Sequence, residues 1–186
     1  MAGPPSDTRP RVELHEDYVA ASFEWGQRSV NGYARGSKER SRSYARPGVT
    51  ALPWQLMGRL GECALCQWLA IDAFNALDWS DRCDAGYDLV LRELFVDVKT
   101  TGRAEMLIWP VTKNELLEVA SSHVLVAGRM VDAFCVELMG CVSRRRFIRE
   151  HRVAGASSSL DPGTKYMRAS ELSSMSRLLQ WTREAA

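Results

Sequence analysis

The sequence predicts one domain of mixed α/β class, in which a helix is followed by three strands, a second helix and a fourth strand. Three observations favour this fold class. The chain has 186 residues, a length typical of a single domain. Hydrophobic residues make up 46% of the chain, which suffices for a buried core. Segments that alternate apolar and polar residues lie between segments with helical spacing. We expect the core of this α+β mixed sheet at about residues 52–140, with flanking helices at both ends.

The N-terminal third predicts two helices separated by a basic loop. Residues 1–10 are polar and rich in proline, so we expect a flexible tail. An imperfect apolar stripe that includes Phe23 predicts a helix over residues 12–30. Residues 31–50 are rich in glycine, serine and arginine and predict a loop. A proline suited to a first helical turn begins the next predicted helix, over residues 53–72.

Five strands are predicted in the central part, at residues 86–91, 94–101, 104–110, 123–127 and 133–139. Thr112 and Glu115 have the spacing of a capping box and predict a short helix that ends near Ser121. Gly128 predicts the turn between the last two strands.

The C-terminal part predicts a short extended segment and one helix. The extended segment covers Lys165–Arg168, after a flexible loop around residues 157–163. Ser170 is a candidate N-cap for the last helix. Its apolar face is predicted to contain Leu172, Met175, Leu178 and Leu179.

Basic residues cluster in two places, although the formal net charge is only +1. The first cluster comprises Arg28, Arg35, Lys38, Arg40, Arg42 and Arg46. The second comprises Arg144, Arg145, Arg146, Arg149 and Arg152. Each cluster is either a solvated surface or a contact site for phosphate, because only the local charge meets a nucleic-acid backbone. Tyr33 and Tyr44, interleaved with the first cluster, have rings on which unpaired bases can stack.

Five cysteines, an odd number in a chain of this size, argue against a disulfide framework. Cys63 and Cys66 have CxxC spacing, but no second pair follows, so we expect reduced, partly buried thiols rather than zinc ligands. The N-terminus has no apolar segment of the kind that directs secretion, and no apolar run reaches the length of a membrane span. A cytoplasmic protein without a membrane partner is therefore expected.

The segment from residue 86 to residue 99 predicts a β-hairpin with Arg92 and Glu93 at its tip. In this register Leu91 pairs with Leu94, and Asp88 lies opposite Asp97. Strand alternation then separates two faces. The apolar face, expected to pack on the core, holds Tyr87, Leu89, Leu91, Leu94, Val96 and Val98. The other face holds Gly86, Asp88, Val90, Phe95, Asp97 and Lys99.

Two aspartates on opposing strands repel each other, so a positive charge is expected beside them. Lys99, two residues along the same face, is one candidate. A divalent cation is the other, because convergent carboxylates suit Mg²⁺ or Mn²⁺. The alternative interpretation is a solvated hairpin face with a surface salt bridge. That interpretation does not account for the apolar neighbours Val90 and Phe95.

Asp88 followed by Asp97-Val98-Lys99 resembles the signature of the PD-(D/E)XK superfamily of restriction-endonuclease-like nucleases. Gly61-Glu62, in the preceding predicted helix, is similar to the helical glutamate of many members. The resemblance covers roughly residues 52–127. Tyr87 stands where the proline that names the signature would stand. The resemblance implies that Asp88, Asp97 and the Val98 carbonyl bind metal, and that Glu62 binds it directly or through water. It also implies that Lys99 orients or deprotonates the attacking water and steadies the phosphate.

Glu62 also has a structural interpretation, because Gln55, Arg59 and Glu62 have helical spacing and would form a solvated stripe with an Arg59–Glu62 pair. Gly58 and Gly61 favour close contact of this helix with a sheet. Thr100, Thr101 and Arg103 follow Lys99 and are candidates for phosphate contacts, together with Arg35, Lys38, Arg40 and Arg42. His123 begins a strand and is interpreted as structural.

The sequence therefore predicts a Mg²⁺- or Mn²⁺-dependent nuclease that hydrolyses phosphodiester bonds of DNA, as an endonuclease. The alternatives are a non-catalytic nucleic-acid-binding or interaction protein on the same fold, and a junction-resolving or RNA-cleaving nuclease. A homodimer is one expected arrangement, because small nucleases often pair to cut two strands. The compact size without a recognition domain suits a phage or mobile-element protein.

Overall fold

The computed structural model describes residues 9–36, 52–80, 87–102, 106–108, 123–156, 160 and 163–184. The helices are α1 (Glu16–Gly36), α2 (Leu52–Trp68), α3 (Ala73–Ala76), α4 (Arg144–Glu150) and α5 (Met175–Glu184). The first four strands are β1 (Arg11–Glu13), β2 (Leu89–Leu91), β3 (Leu94–Thr101) and β4 (Met106–Ile108). The others are β5 (His123–Met130), β6 (Cys135–Ser143), β7 (Arg152–Val153) and β8 (Lys165–Arg168).

The main sheet has five strands in the order β1-β6-β5-β3-β2. It is mixed, because β3 and β5 run parallel while the other neighbours are antiparallel. The predicted mixed α/β class is therefore confirmed. The third predicted strand of the core, β4, lies elsewhere: it pairs with β8 in a three-stranded sheet of order β4-β8-β7. Strand β5 pairs with β3 from Phe95 to Thr101, and β2 pairs with residues 94–96 on the other edge.

Two apolar clusters cover the two faces of the main sheet. On one face, α2 and α5 pack on β3, β5 and β6, and the shared core includes Leu60, Val96, Val126 and Leu178. On the other face, Phe147 of α4 and Met167 of β8 belong to a smaller cluster over β5 and β6. The hairpin β2–β3 forms one margin of the main sheet. This margin carries the predicted site residues Asp88, Asp97 and Lys99.

The N-terminal prediction is wrong at both ends of the first helix. Residues 11–13 form β1, where Val12 is buried and pairs with Val136. The helix begins at Glu16 and continues to Gly36, into the segment predicted as loop 31–50. Its buried face is made of small residues, including Ser22 and Ser29, whereas Phe23 is 46% exposed. Small side chains allow α1 to approach α2, which an apolar stripe cannot reveal.

Gly128 does not form the turn that its position predicts. Strand β5 continues through it to Met130, with a register irregularity between Ala127 and Gly128. A Cβ atom at residue 128 would lie 3.1 Å from Thr100 Oγ1, so glycine permits the close contact between β5 and β3 at this point. The turn follows at residues 131–134.

The C-terminal segment is confirmed in part. Strand β8 has the predicted bounds, Lys165–Arg168. Ser170 is not the N-cap of the last helix, because it lies in a 3₁₀ turn (Ala169–Glu171) and α5 begins only at Met175. Leu172 therefore precedes the helix, whereas Met175 and Leu178 are buried as expected.

The helix predicted from Thr112 to Ser121 lies outside the described residues, as do most of the N-terminal tail and residues 37–50 of the predicted loop. Among the helices that are described, none is long and apolar enough to cross a membrane.

Candidate active site

The hairpin forms in the predicted register. Leu89 pairs with Val96, Val90 with Phe95 and Leu91 with Leu94. The tip is a two-residue turn in which Arg92 has a φ of 57°. A residue with a Cβ atom adopts this left-handed conformation at a cost of about 1 kcal/mol, so packing of the strands must stabilise the turn.

The two predicted faces of the hairpin are confirmed from Leu89 onward, but Tyr87, predicted on the core face, instead packs its ring against Phe95 of the opposite face, with the centroids 4.8 Å apart. Leu89, Leu91, Val96 and Val98 are buried against the core. On the opposite face, Val90 is 47% exposed. The side chains that carry chemistry therefore stand on the face directed away from the α2 side of the sheet, apart from Asp88, which lies at the margin.

Asp88 lies one residue before β2. Its carboxylate accepts a hydrogen bond from the backbone of β3, in the position where a neighbouring strand would otherwise accept it. Its backbone N–H donates to the Val96 carbonyl at 2.8 Å, and its Oδ2 accepts from the Val98 N–H at 2.6 Å. The predicted opposition of Asp88 and Asp97 is thus not a regular strand pair. Because the N–H and C=O of one strand residue point to the same edge, the Val98 carbonyl points to the edge where Asp88 stands.

Asp97 and Lys99 form an ion pair on the same face of β3. Lys99 Nζ lies 2.5 Å from Asp97 Oδ1. Asp97 is buried, whereas about a third of the Lys99 side chain is exposed. The Lys99 side chain is therefore partly open to solvent even though its ammonium group is paired with a buried carboxylate.

Negative charge is in excess around Asp88. Burial, followed by the charges of Glu62 and Asp97, raises the pKa of the Asp88 carboxyl well above its ordinary value. The Lys99 ammonium and the hydrogen bond from the Val98 N–H act in the opposite direction but do not reverse the effect. Three carboxyl groups thus share one region, and either a proton or a cation is needed to balance them.

Glu62 reaches this region from α2, which packs closely on β3. A Cβ atom at Gly61 would lie 1.8 Å from Thr100 Oγ1, so only glycine permits the observed spacing. No such contact exists at Gly58. Glu62 Oε2 is 2.7 Å from Arg59 Nη1, and both side chains are buried. The Arg59–Glu62 pair of the alternative interpretation is therefore present, but it is not solvated.

The donor set suits a hard divalent cation by its chemistry, since it consists of carboxylates and a backbone carbonyl with surplus negative charge. In the described part of the chain, however, no three histidine, cysteine, aspartate or glutamate side chains converge as a ready-made metal site. Each acid has a protein partner instead: the Val98 N–H for Asp88, Lys99 for Asp97 and Arg59 for Glu62. Metal binding would require Asp88 and Asp97 to share or exchange these partners.

The candidate phosphate contacts differ in their placement. Thr100 Oγ1 is buried between Gly61 and Gly128, on the side opposite to Asp97, which gives this residue a packing role. Thr101 lies on the face of Asp97 and pairs with Arg129 of β5. Arg35 lies in α1. The remaining candidates, Lys38, Arg40, Arg42 and Arg103, lie outside the described residues.

His123 is nearer to the centre than its structural interpretation implied. It pairs with Phe95 across the parallel strands, and the two ring centroids are 5.2 Å apart. Tyr87 extends this row, at 4.8 Å from the Phe95 ring. Burial, followed by the Arg144 charge, lowers the pKa of His123, so the imidazole is neutral at pH 7. The parallel pairing of β3 with β5 brings His123 near enough to Asp97 for their charges to interact. The sequence alone does not reveal this pairing.

The second arginine cluster is engaged largely in local ion pairs. Arg146 and Arg149 both bind Glu150 on α4, at 2.6 Å and 2.7 Å. Arg152 forms a close ion pair with Glu171. The first two contacts lie within α4, and the third joins β7 to the 3₁₀ turn, so these arginines have local structural partners, a role that the sequence pattern left open.

The four cysteines that the structure describes are free thiols, as expected. Cys63, Cys66 and Cys141 are buried, and Cys135 is half-buried. Burial raises the pKa of Cys63 to about 11 and that of Cys66 to about 12, so neither is a reactive thiolate at neutral pH. Cys83 lies outside the described residues.

Comparison of the chain with protein-family models, curated proteins and solved structures finds no match in any of the three. The interpretation of the centre therefore depends on its own residues and geometry.

Proposed function

We propose that this protein is a divalent-metal-dependent nuclease that hydrolyses phosphodiester bonds of DNA at the centre formed by Asp88, Asp97 and Lys99. One observation carries the proposal: a buried carboxyl group with two neighbouring carboxylates lies beside a partly exposed lysine, at the margin of a sheet. This combination binds a cation and a negatively charged substrate at the same place. The resemblance to the PD-(D/E)XK signature points in the same direction.

Each residue has a distinct role in this proposal. Asp88, Asp97 and the Val98 carbonyl hold Mg²⁺ or Mn²⁺, with Glu62 as a further ligand, directly or through water. When bound, the cation supplies Lewis-acid stabilisation of the charge on the phosphoryl oxygens. Lys99 positions the water whose oxygen attacks phosphorus, and its ammonium steadies the phosphate while the 3′-oxygen leaves. Products with 5′-phosphate and 3′-hydroxyl ends are expected from the resemblance.

The decisive experiment is a metal-dependence panel with linear, closed circular single-stranded and branched DNA. We expect cleavage with Mg²⁺ or Mn²⁺, and loss of cleavage when Lys99 is replaced by alanine. Lys165→Ala is the matched control, because Lys165 lies in β8 of the small sheet. Cutting of the closed circle would identify an endonuclease. Equal cleavage by the wild-type protein and Lys99→Ala would overturn the proposed centre.

The basic residues Arg35, Lys38, Arg40 and Arg42 are proposed to guide the DNA backbone. Their joint replacement by glutamine is expected to weaken DNA binding and to reduce the salt dependence of the binding constant by about 0.9 for each phosphate that the protein no longer neutralises. Fluorescence anisotropy at several salt concentrations measures both quantities. An unchanged affinity and an unchanged slope would exclude this segment from the interface.

The alternative from another class is a non-catalytic nucleic-acid-binding protein on the same fold. The ion pair that occupies Asp97 favours this alternative, because a binding protein would not need to open it. The two functions are distinguished by the same panel: a binding protein retains DNA affinity without any metal-dependent cutting, whereas a junction-resolving or RNA-cleaving enzyme shows a different preferred substrate.

A further inference from the structure

Arg59 is a buried cation that the proposed chemistry does not use. Only 6% of this residue is exposed, although arginine is seldom buried unless it is paired. Its Nη1 lies 2.7 Å from Glu62 Oε2, and its Nη2 donates to the Asp78 carbonyl at 2.9 Å. The guanidinium carbon is 4.0 Å from the centroid of the Trp25 ring and 5.0 Å from that of Trp79. Arg59 is therefore held by contacts on several sides.

The two tryptophans are themselves fixed by hydrogen bonds to the backbone. Trp25 Nε1 donates to the Ser80 carbonyl, and Trp79 Nε1 donates to the Ala73 carbonyl, both at 3.0 Å. Helix α1, helix α2 and the segment after α3 thus meet around one guanidinium group. Such an arrangement restricts the rotamers of Arg59 and, through the ion pair, those of Glu62.

Stability alone is a weak reason for this arrangement. A buried ion pair costs desolvation that its own attraction only partly offsets, and apolar side chains of similar volume often stabilise a core equally well. Arg59 and Glu62 are also only three residues apart on one helix, so their pairing does little to connect distant parts of the chain. What the pair does achieve is a fixed orientation of Glu62, close enough to Asp88 for their charges to interact.

We propose that Arg59 is a positioning residue of the acid centre, which holds Glu62 in the orientation that the centre requires and is itself fixed by Trp25, Trp79 and the Asp78 carbonyl. This inference depends on the proposed nuclease function. Arg59 does not touch the substrate and acts only through Glu62. Outer residues that orient metal ligands typically change metal affinity or activity by about 10- to 100-fold when they are replaced.

The test is a double-mutant cycle of Arg59→Met and Glu62→Gln, with Arg59→Lys as the variant that keeps the charge but not the planar fork. Cleavage rate is measured at saturating DNA, and Mn²⁺ affinity is measured without DNA by electron paramagnetic resonance. Arg177→Met is the matched control, because Arg177 also lies over a tryptophan ring, that of Trp181, and pairs with a glutamate on α5. Thermal unfolding of every variant accompanies these measurements.

We expect Arg59→Met to lower the cleavage rate and the Mn²⁺ affinity about 10- to 100-fold, and Arg177→Met to change neither. The double variant should be no worse than Glu62→Gln alone. Additive losses in the cycle, or an unchanged Mn²⁺ affinity in Arg59→Met, would overturn the positioning role while the nuclease proposal stands. If Arg59→Met does not fold, the cycle with Arg59→Lys decides by the same criteria. A wild-type protein that neither cleaves nor binds Mn²⁺ would overturn both proposals.

Discussion

Asp88 and Glu137 are both acids in the main sheet, but their charge environments are opposite. Glu137 of β6 is surrounded by cations: Arg129 Nη2 lies at 2.8 Å, Arg11 Nε at 3.3 Å and Arg9 Nη1 at 3.9 Å. Two acids, Glu62 and Asp97, and one cation, Lys99, act on Asp88, and the two acids outweigh the cation. Protein cations compensate the charge of Glu137, whereas the region around Asp88 carries surplus negative charge. Under the proposed function, Glu137 serves the fold, whereas Asp88 takes part in binding.

The register of the strands explains why Glu137 is well compensated. Glu137 pairs with Arg11 of β1 on one side and with Arg129 of β5 on the other. Cross-strand pairs of opposite charge are favourable. At the opposite margin of the sheet β2 begins only at Leu89, so Asp88 lies outside the strand and is not part of a cross-strand pair of opposite charge. The contrast between the two acids is therefore built into the sheet topology.

The largest expected effect concerns catalysis at the acid-rich site. Replacement Asp97→Asn is expected to lower the cleavage rate by about 10²–10³-fold, because it removes a charge that the centre needs. Initial rates with saturating Mn²⁺ measure this effect. The control is Glu137→Gln, assayed at a temperature at which it is folded, which should cleave at the wild-type rate. A similar loss in both variants would remove the functional distinction between the two acids.

The next effect concerns stability at the cation-rich site. Replacement Glu137→Gln leaves three arginines without their shared acid, and we expect the free energy of unfolding to fall by about 2 kcal/mol. This figure is lower than for a fully buried network because Arg11 is largely exposed. Urea denaturation at neutral pH is the measurement. An unchanged midpoint would contradict a stabilising role for Glu137.

Close packing of α2 on β3 brings Glu62 toward Asp88. Substitutions at the glycines of α2 therefore test whether this packing depends on the absence of a side chain. Replacement Gly61→Ala is expected to destabilise the protein by about 1–3 kcal/mol, because the new Cβ atom meets Thr100. Gly58→Ala, where nothing lies within 4 Å, should stabilise α2 by up to about 1 kcal/mol. Adding Thr100→Ala to Gly61→Ala should recover part of the loss. Equal effects of the two glycine variants in chemical denaturation would contradict this packing.

The smallest effect is a gain in stability at the acid-rich site. Because the pKa of Asp88 is raised in the folded protein, the folded state holds this proton more tightly than the unfolded state. Stability is therefore lost as pH rises from about 4 through the raised pKa. Asparagine carries no such charge and still accepts from the Val98 N–H. We expect Asp88→Asn to stabilise the protein by on the order of 1 kcal/mol at pH 7.

Urea denaturation of Asp88→Asn at several pH values checks the sign of this effect. Near pH 3.5 the Asp88 carboxyl of the wild-type protein is protonated, so the gain should disappear. A gain of the same size at both pH values, or a loss at pH 7, would show that repulsion among the carboxylates is not the cause.

The hairpin was predictable because its information is local. Alternation of apolar and polar residues from Leu89 to Val98 determines which side chains face the core, and the two-residue turn determines the register. The resemblance then identified Glu62 as a partner of Asp88. All of these features depend on residues that are close in sequence or that belong to one recurring pattern.

Features that depend on distant contacts were not predictable in the same way. Strand β1 exists because Val12 pairs with Val136, far along the chain. The contacts that fix Arg59 depend on Trp25 from another helix, and the placement of β4 depends on its pairing with β8. A single sequence contains no direct signal for such pairings. For the same reason the sequence indicated a salt bridge between Arg59 and Glu62 but not its burial.

The most direct test of the central claim is whether the surplus of carboxylates holds a cation. Electron paramagnetic resonance of Mn²⁺ titrated into the wild-type protein should reveal a bound ion, which Asp88→Asn should lose and Glu137→Gln should keep. We predict that result, and cleavage should depend on the same ion. Mn²⁺ binding that survives Asp88→Asn unchanged, or that is absent from the wild-type protein even with DNA present, would contradict the proposed metal centre.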